Sequence, residues 1–497
     1  MSVRQRLRRL LSVFPAALAA AGVLDRRKGE EAFDLALPVM VTGGLRTALR
    51  IADFLMVGLA VGEAAIAGLE IGFQYYFIAF GLSLALSSGT ISLVSRHAGA
   101  GRPAAADFAV KQSLWLALLV SIPMALLTWV HAEVMISLLT DDSRTVALGG
   151  TYLRIVMLSA PLRFWSMIAA RALAGAGDTR TPMYVRLATL PTNVSLNAAL
   201  IFGLWGFPQL GVAGAAIGTA LANALAAVVF LGLLLSGRQA VRLRLGGTQW
   251  DGTTARELIR VGLPLAGTRL ARTLGRFPFL FVLGVLGTSS VAAYAIGRRV
   301  MLLAMMPAWG YATASSTLVG QHVGAGEAGL ASEYGWQVLR IALATQLLIG
   351  AGLALAARPI ALAFDTPQVS LTVGFIRVFG LCVAGFAVSR TMRGGLRGAG
   401  DTTWPLYGTV LGTYVVRLPI AALALPAGYT LSIGGWGAFG FEAPALELAV
   451  GLGLGIPAIY AAIVASYYVK AIVNLLRFRS GAWRRVARRS EAGAADD

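Results

Sequence analysis

Charge, cysteine and histidine are all scarce in this chain, and each shortage removes a class of protein. Only 13% of the 497 residues are charged, where a soluble domain carries roughly a quarter, so a soluble globular fold is excluded first. The single cysteine, Cys382, lies in an apolar run; it can form neither an intrachain disulfide nor a cysteine metal cluster. The three histidines, His97, His131 and His322, fall at expected loops without metal-ligand spacing. Nucleophile-elbow and phosphate-binding glycine–lysine motifs are absent as well. The chain is therefore expected to be no enzyme, to hold no metal or cofactor, and not to drive transport by its own ATP hydrolysis. Acids are outnumbered, 23 Asp and Glu against 42 Lys and Arg, for a net charge of +19. In a soluble protein that excess suggests nucleic acid. Here its placement has another explanation, and no nucleic-acid partner is expected.

What the chain has is apolar length. Hydrophobic residues make up 57% of it and mean hydropathy is +0.72. Apolar runs of about 20 residues recur, which predicts an all-α polytopic membrane protein. Twelve spans are expected near 35–58, 64–95, 106–130, 146–170, 182–204, 212–236, 258–286, 290–319, 331–357, 371–392, 405–426 and 446–469. The intervening segments then separate by charge. One set, with both tails, holds twenty-five Lys and Arg when Arg260 at the edge of the seventh span is counted with it; the other holds two, Arg144 and Arg358. Cytoplasmic segments retain positive charge, so the expectation is a multi-pass protein of the cell (inner) membrane with both termini cytoplasmic. The chain divides into a basic tail at 1–33, a six-helix lobe at 34–237, a cytoplasmic inter-lobe linker at 238–254, a second six-helix lobe at 255–472 and a basic tail at 473–497. The stretch RQRLRRLLSVFPAALAAAG reads as an interfacial amphipathic segment, a disordered tail or a secretory signal. Cleavage would strip the first span of its basic flank, which favours the first two.

The two lobes are copies. Leu37-Pro38 recurs as Leu263-Pro264, an offset of 226. DFLMVGLAVG from Asp53 aligns with PFLFVLGVLG from Pro278, and His97-Ala-Gly-Ala-Gly with His322-Val-Gly-Ala-Gly, both at 225. GAGDT at Gly175 recurs at Gly398, an offset of 223. Ordered matches at a nearly constant offset are an internal duplication. Six spans per copy is an even number, so both halves enter the membrane from the same side. The expected architecture is two parallel six-helix repeats around a central cavity, with the substrate site between them. The repeated turn uses Gly175, Gly177, Asp178 and Pro182 in the first lobe, and Gly398, Gly400, Asp401 and Pro405 in the second. Glycine supplies helix-ending backbone angles, aspartate or a following threonine caps the next helix, and proline is tolerated in its first turn. A structural cytoplasmic turn is the expected role.

LAGAGDTRTP and LRGAGDTTWP do not stand alone. They join ALPVM and IADFLMVG in the first span, Arg417-Leu418-Pro419 in the eleventh, and the two His-x-Gly-x-Gly turns. Together, over roughly 33–475, these resemble the multidrug and toxic compound extrusion (MATE) transporters. The resemblance implies two lobes flanking a central cavity. It also implies a secondary active antiporter that exports small organic compounds, drugs or metabolites, in exchange for protons or sodium ions by alternating access. A small-molecule substrate and membrane lipids are then the expected partners; nothing in the sequence fixes an oligomeric state.

The resemblance assigns ion coupling to Asp53 in the first span. A carboxylate at that depth is unfavourable unless it faces a cavity or a partner. Low dielectric favours the neutral form of a carboxyl group, which lets it carry a proton. The alternative is an intrahelical ion pair with Arg50, three residues earlier, or Arg46, seven earlier, on the same face. Asn193 and Asn197, four apart in the fifth span, are either further ion ligands or interhelical packing amides. In the second lobe Arg272 stands where some members have a glutamate, and Phe386 where some have an aspartate. That loss favours the proton over sodium as coupling ion. Instead Arg269, Arg272 and Arg276 share one face of the seventh span, and Arg46, Arg50, Arg163, Arg272, Arg276 and Arg390 are the expected cavity residues. Typical members export organic cations, which prefer acidic or aromatic cavities, whereas guanidinium groups suit carboxylates and phosphates. Cationic drugs and anionic or lipid-linked phosphate compounds, the latter handled by flippases of the same superfamily, thus stand as alternatives. Snorkelling of the arginines to the interface and an uncoupled channel are the readings to be excluded.

Overall fold

The computed structural model describes residues 13–492 except 62, 365, 434–436, 439–440 and 443–445. The side chains of 48, 50–55, 58, 63–64, 66–67, 77–78, 431–448 and 488–492 lie outside that description. After α1 (residues 13–20), the first lobe contains α2 (Arg26–Val61), α3 (Glu63–Gly99), α4 (Pro103–Ser137), α5 (Ser143–Leu158), α6 (Ala160–Gly175), α7 (Arg180–Phe202) and α8 (Gly211–Leu235). The second begins with α9 (Gly252–Leu274), α10 (Arg276–Val285), α11 (Thr288–Ala304), α12 (Met306–Gly324), α13 (Ala328–Leu355) and α14 (Ala357–Ala363). It ends with α15 (Val369–Gly398), α16 (Thr403–Val410), a π-helical stretch Leu411–Arg417, α17 (Leu418–Ala422), α18 (Gly455–Arg479) and α19 (Trp483–Ala492).

Among the described residues six helices are long and apolar enough to cross a membrane, and the bent pairs α5–α6 (48°) and α11–α12 (43°) bring the number to eight. Each bend precedes a proline in the first turn of its second helix, Pro161 and Pro307, where the missing N–H interrupts the ladder. The remaining spans of the twelve, α2, α7, α9–α10 and α16–α17, carry mid-span charge or are broken into short pieces. Breaks of this kind were not expected from hydropathy, which registers apolar length and not backbone continuity.

The duplication is written into the contact between the lobes. Ser92 donates to the Arg397 carbonyl at 2.6 Å, and Thr317, 225 residues after Ser92, donates to the Ala174 carbonyl at 2.7 Å. Ala174 and Arg397 are themselves 223 apart, the offset of the signature turns. A Cβ on Gly99 would lie 1.8 Å from the Gln321 carbonyl oxygen, and one on Gly324 would lie 1.8 Å from that of Arg96. Each pair maps onto the other through the offset of 225, so a pseudo-two-fold axis passes between α3 and α12. Around it α2 packs on α12 and α3 on α9. All these contacts lie at the membrane face that carries the four glycine turns. Towards the opposite face the buried clusters stay within single lobes: Val57, Leu69, Ile201 and Val212 in the first, Phe279, Tyr294, Phe375 and Leu425 in the second. The lobes are clasped at one face and separate towards the other.

Three expected boundaries change. Residues 1–33 are not simply a tail, because the chain is helical from residue 13 with a short turn at 21–25. Leu24 and Ala32 bury against Tyr311 and Val338 of the second lobe. Lys28 pairs with Glu333, and Tyr334 donates to Glu31 at 2.7 Å. Nor is 473–497 a free tail: α18 runs to Arg479, and α19 folds back with Trp483 stacked 5.4 Å from Phe478. The twelfth span starts at Gly455 instead of 446, because Leu446–Ala449 pairs antiparallel with Thr430–Ile433. A second ladder joins Gly437–Ala438 to Phe441–Glu442. The alternation in TLSI and LELA was the available strand signal, and the all-α class gains a β cap between its last two spans. The linker is less free than its composition suggests. Asp107 of α4 accepts from the Arg242 amide at 2.7 Å, and Lys111 donates to the Gly246 carbonyl at 2.8 Å. Asp251 then caps α9 through the Thr254 amide at 2.6 Å, and bonds from Thr254 hold its carboxyl below the usual range.

Candidate substrate site

The signature turns close a helix in each lobe. Gly177 and Gly400 adopt φ of 96° and 82°, left-handed angles that glycine takes without a Cβ penalty. Asp178 N–H reaches the Leu173 carbonyl and Asp401 N–H the Leu396 carbonyl, both at 2.8 Å, while each glycine N–H bonds three residues back. That is a Schellman closure, which satisfies the last carbonyls of α6 and α15. Gly175 and Gly398 lie in the last turns of those helices, and Pro182 and Pro405 in the first turns of α7 and α16. The copies then diverge. Asp178 caps α7 through the Thr181 amide at 2.9 Å, whereas Asp401 pairs with Arg477 of α18 at 2.7 Å. Burial pushes the Asp401 carboxyl up and the Arg477 bond pulls it back down.

The basic face of the seventh span is interrupted where it was expected to be continuous. α9 stops at Leu274 and α10 starts at Arg276. A Cβ on the intervening Gly275 would lie 2.3 Å from the Thr413 methyl of the π-helical stretch, so this close approach requires glycine. Tyr414 anchors the break by donating to the Ala271 carbonyl at 2.8 Å. Two irregular segments thus meet in the middle of the second lobe, where side chains are redirected. Arg272 and Arg276 flank the break, and both are exposed.

Arg272 also lies within electrostatic reach of charged groups on three other helices. Arg298 of α11 and Tyr467 of α18 act on Arg272. Arg272 in turn acts on Arg390 and Arg393 of α15 and on Lys470 of α18. Its neighbour Ala271 accepts from Tyr414 of the π-helical stretch, which places this part of α9 against the interior helices of its lobe. Arg417 of the π-helical stretch donates to the Tyr294 hydroxyl at 3.2 Å and lies 3.6 Å over the Phe279 ring. Lys470 donates to Ser466 at 2.9 Å and crosses Gly412, where a Cβ would meet its Cε at 2.9 Å. Arg390 lies over Trp309 at 5.7 Å and Phe386 at 5.0 Å. Among the described residues none of these cations has an acidic side chain within ion-pair distance. Like charges near one another repel in a medium of low dielectric.

A second basic group spans the two lobes. Arg163 of α6 and Arg269 of α9 lie over the Phe80 ring of α3, at 5.8 and 5.5 Å. Arg186 of α7 feels the charges of Arg163 and Arg46. Asn197 is buried against α8, where a Cβ on Gly218 would come within 2.1 Å of its Oδ1; Asn193, one turn earlier, is half-buried. The side chains of Arg50 and Asp53 lie outside the described residues. Of the expected arginines, Arg272 and Arg390 join one group and Arg46 and Arg163 the other. Arg276 sits beyond the break, beside Arg298 and Arg417. Arg186, Arg298, Arg393, Arg417 and Lys470 were missed as cavity residues. For Arg186, Arg298 and Arg417 the signal was available, since an ionisable residue within a span marks a site by default; Arg393 and Lys470 fall just past the ends of their expected spans and read as cytoplasmic charge.

The two copies are also recognised separately. The MatE family model matches residues 38–199 and again 264–423. The chain belongs to the MatE family. A MatE-family chain is a multi-pass membrane transporter of the multidrug efflux type, and its substrates are small molecules. It is 29% identical over 484 residues to "Probable multidrug resistance protein NorM" from Thermotoga maritima, covering 96% of this chain and 97% of that one. Among solved structures it is similar to a MATE crystal structure in the bent conformation, with a TM-score of 0.81 and 21% identity over 93% of this chain and 97% of that one. It is also similar to a MOP superfamily transporter from Pyrococcus furiosus, with a TM-score of 0.80 and 20% identity over 91% and 95%. The binding pocket of that protein is described as having reverse polarity, suggesting a different function. Both structural likenesses bear on the fold, and they match the two-lobe arrangement built above.

Proposed function

We propose that the chain is a secondary active antiporter that exports small organic compounds by alternating access, with the proton as coupling ion. The observation that carries this reading is the clasp. The lobes are joined at one face by glycine approaches, by polar bonds that include Ser92–Arg397, Thr317–Ala174 and the Arg96–Glu257 pair at 2.7 Å, and by the docking of the α1–α2 end on the second lobe, while towards the other face the buried clusters stay within single lobes. One-sided closure of this kind is what an alternating-access cycle would open and re-form at the opposite face. The basic flanks of the spans support placing it at the cytoplasmic side of the inner membrane, with the chamber open to the outside. Reporter fusions are expected to read outside at Asp141 and cytoplasmic at Thr248. A cytoplasmic reading at Asp141 would invert the whole assignment.

The test of transport is flux in proteoliposomes. An imposed pH gradient should drive saturable efflux, and a sodium gradient at constant pH should not. Flux that rises linearly with concentration and ignores both gradients would identify a channel. Sodium-driven flux indifferent to pH would keep the antiporter and replace the ion. The Pyrococcus furiosus structure supports leaving cargo charge open at this level, since the same fold is described there with another pocket polarity.

A further inference from the structure

We infer that the second lobe holds an organic-anion site, in which Arg272, Arg298, Arg393 and Lys470 receive a carboxylate, sulfonate or phosphate and the neighbouring aromatic rings receive an apolar body. This rests on the exporter reading above and names its substrate class. Three observations converge on it. The first is convergence without neutralisation. Lys470 of α18 lies 6.0 Å from the Tyr467 ring, Tyr467 meets Phe386 of α15 at 6.2 Å, and Phe386 lies 5.0 Å from Arg390, one turn before Arg393. Lys470 also crosses Gly412, two residues before the Tyr414 that bonds to Ala271, the neighbour of Arg272 on α9, and α11, which carries Arg298, packs on α15. None of the four cations is paired with an acid among the described residues. The sequence shows why, since no Asp or Glu occurs anywhere between Glu257 and Glu327 or between Asp401 and Glu442. A structural arginine inside a membrane protein ordinarily brings its counter-charge with it. Here the counter-charge has to be supplied from outside the lobe.

The second observation is chemical. Guanidinium groups present planar pairs of donors that match carboxylate and phosphate oxygens, and a lysine adds a mobile point charge. Arg417 and Arg390 are already committed to rings, over Phe279 and over Phe386. Among the described residues Arg272, Arg298 and Arg393 make no ring contact or side-chain hydrogen bond and stand ready as donors. The third is the apolar lining. Phe279 and Tyr294 are tilted rings 5.4 Å apart, and Phe386 and Tyr467 lie 6.2 Å apart in an edge arrangement. A flat organic body fits beside such rings while its acid group turns to the cations.

Two dyes on one xanthene skeleton test the inference: fluorescein, an anion at neutral pH, and rhodamine 123, a cation. Binding is read by fluorescence anisotropy on the detergent-purified full-length protein, so it does not depend on flux. Wild type should bind fluorescein saturably and rhodamine 123 much more weakly. Arg272→Gln and Arg393→Gln should each raise the half-saturating fluorescein concentration by ~10- to 150-fold, the effect of losing one charge-assisted contact. Arg393→Lys should recover part of that loss, and Arg144→Gln, which removes one charge far from the chamber, should change nothing. Thermal unfolding of each variant separates lost binding from lost folding. On wild type alone, naphthalene-1-sulfonate should displace fluorescein and a naphthyl quaternary ammonium should not. Fluorescein binding unchanged in both folded glutamine variants, or tighter binding of rhodamine 123 by wild type, overturns the inference. Anion binding with this residue dependence but no gradient-driven flux supports the site and removes the exporter reading instead.

Discussion

Asp53→Asn is expected to abolish gradient-driven efflux while leaving a folded protein. The second-lobe helices contain no acid between Glu257 and Glu327, nor between Asp401 and Glu442, and Glu333 at the start of α13 is paired with Lys28, which favours a carboxyl carrier of protons in the first lobe. Three acids fall within its predicted spans: Asp53, Glu70 and Asp107. Asp107 is committed to the linker, accepting from the Arg242 amide at 2.7 Å and pairing with Arg244 at 3.2 Å. Glu70 stands two turns into α3 and accepts from Gln74 at 3.1 Å. Asp53 falls in the half of α2 beyond the clasp, on the side where the lobes part. Asparagine keeps the volume and loses the exchangeable proton, so the expected effect is on coupling and not on assembly. Transport rate under a pH gradient should fall by two or more orders of magnitude, the usual scale for removing a positioned acid or base. Glu70→Gln should retain most of it. Full activity in Asp53→Asn with loss in Glu70→Gln would move the carrier to α3.

The second large effect is expected at Gly324. A Cβ there would lie 1.8 Å from the backbone oxygen of Arg96, and no rotamer change can relieve a clash with backbone. Gly324→Val should therefore push the lobes apart at the clasped face and favour the opposite state. Overpacking of this kind opposes the packed state by about 1–3 kcal/mol, which shifts a two-state equilibrium by ~5- to 150-fold. Ala174→Cys reports the change, because Ala174 is buried in the clasp and receives the Thr317 bond. Cys382, the native cysteine, is buried and adds little background. Maleimide should label Ala174→Cys slowly in an otherwise wild-type protein and many times faster with Gly324→Val, while net transport falls. Equal labelling in both would mean that the clasp is not the moving gate.

Much of the architecture was legible because membrane and duplication are both one-dimensional signals. Apolar length marks spans, and a fixed offset marks copies; the Ser92 and Thr317 bonds fall where the offset of 225 places them. The breaks were not legible. The interruption at Gly275 exists because Thr413 approaches from a segment 138 residues away, and no local pattern encodes that. The chamber was legible only in part for the same reason. Helical spacing groups Arg269 with Arg272, which lie on one helix, but cannot group Arg272 with Arg298, Arg393 and Lys470, which lie on three others. The docked ends were missed because a basic amphipathic segment satisfies an interface and a protein groove with the same composition.

The linker limits how such a gate can move. Residues 236–251 join the lobes covalently, and a free chain of that length would let them slide apart. Here it is fastened to α4 at Arg242, Gly246 and Thr248, and the Asp251 amide reaches Gln112 at 3.2 Å. Asp251 is also the cap of α9. The leash is therefore nailed down along its length and has no slack at the point where the second lobe begins. Under the proposed cycle, lobe separation would be left with rotation about the N-terminal end of α9 as its low-resistance motion, and the two halves would rock like jaws on a pin beside the first turns of α4.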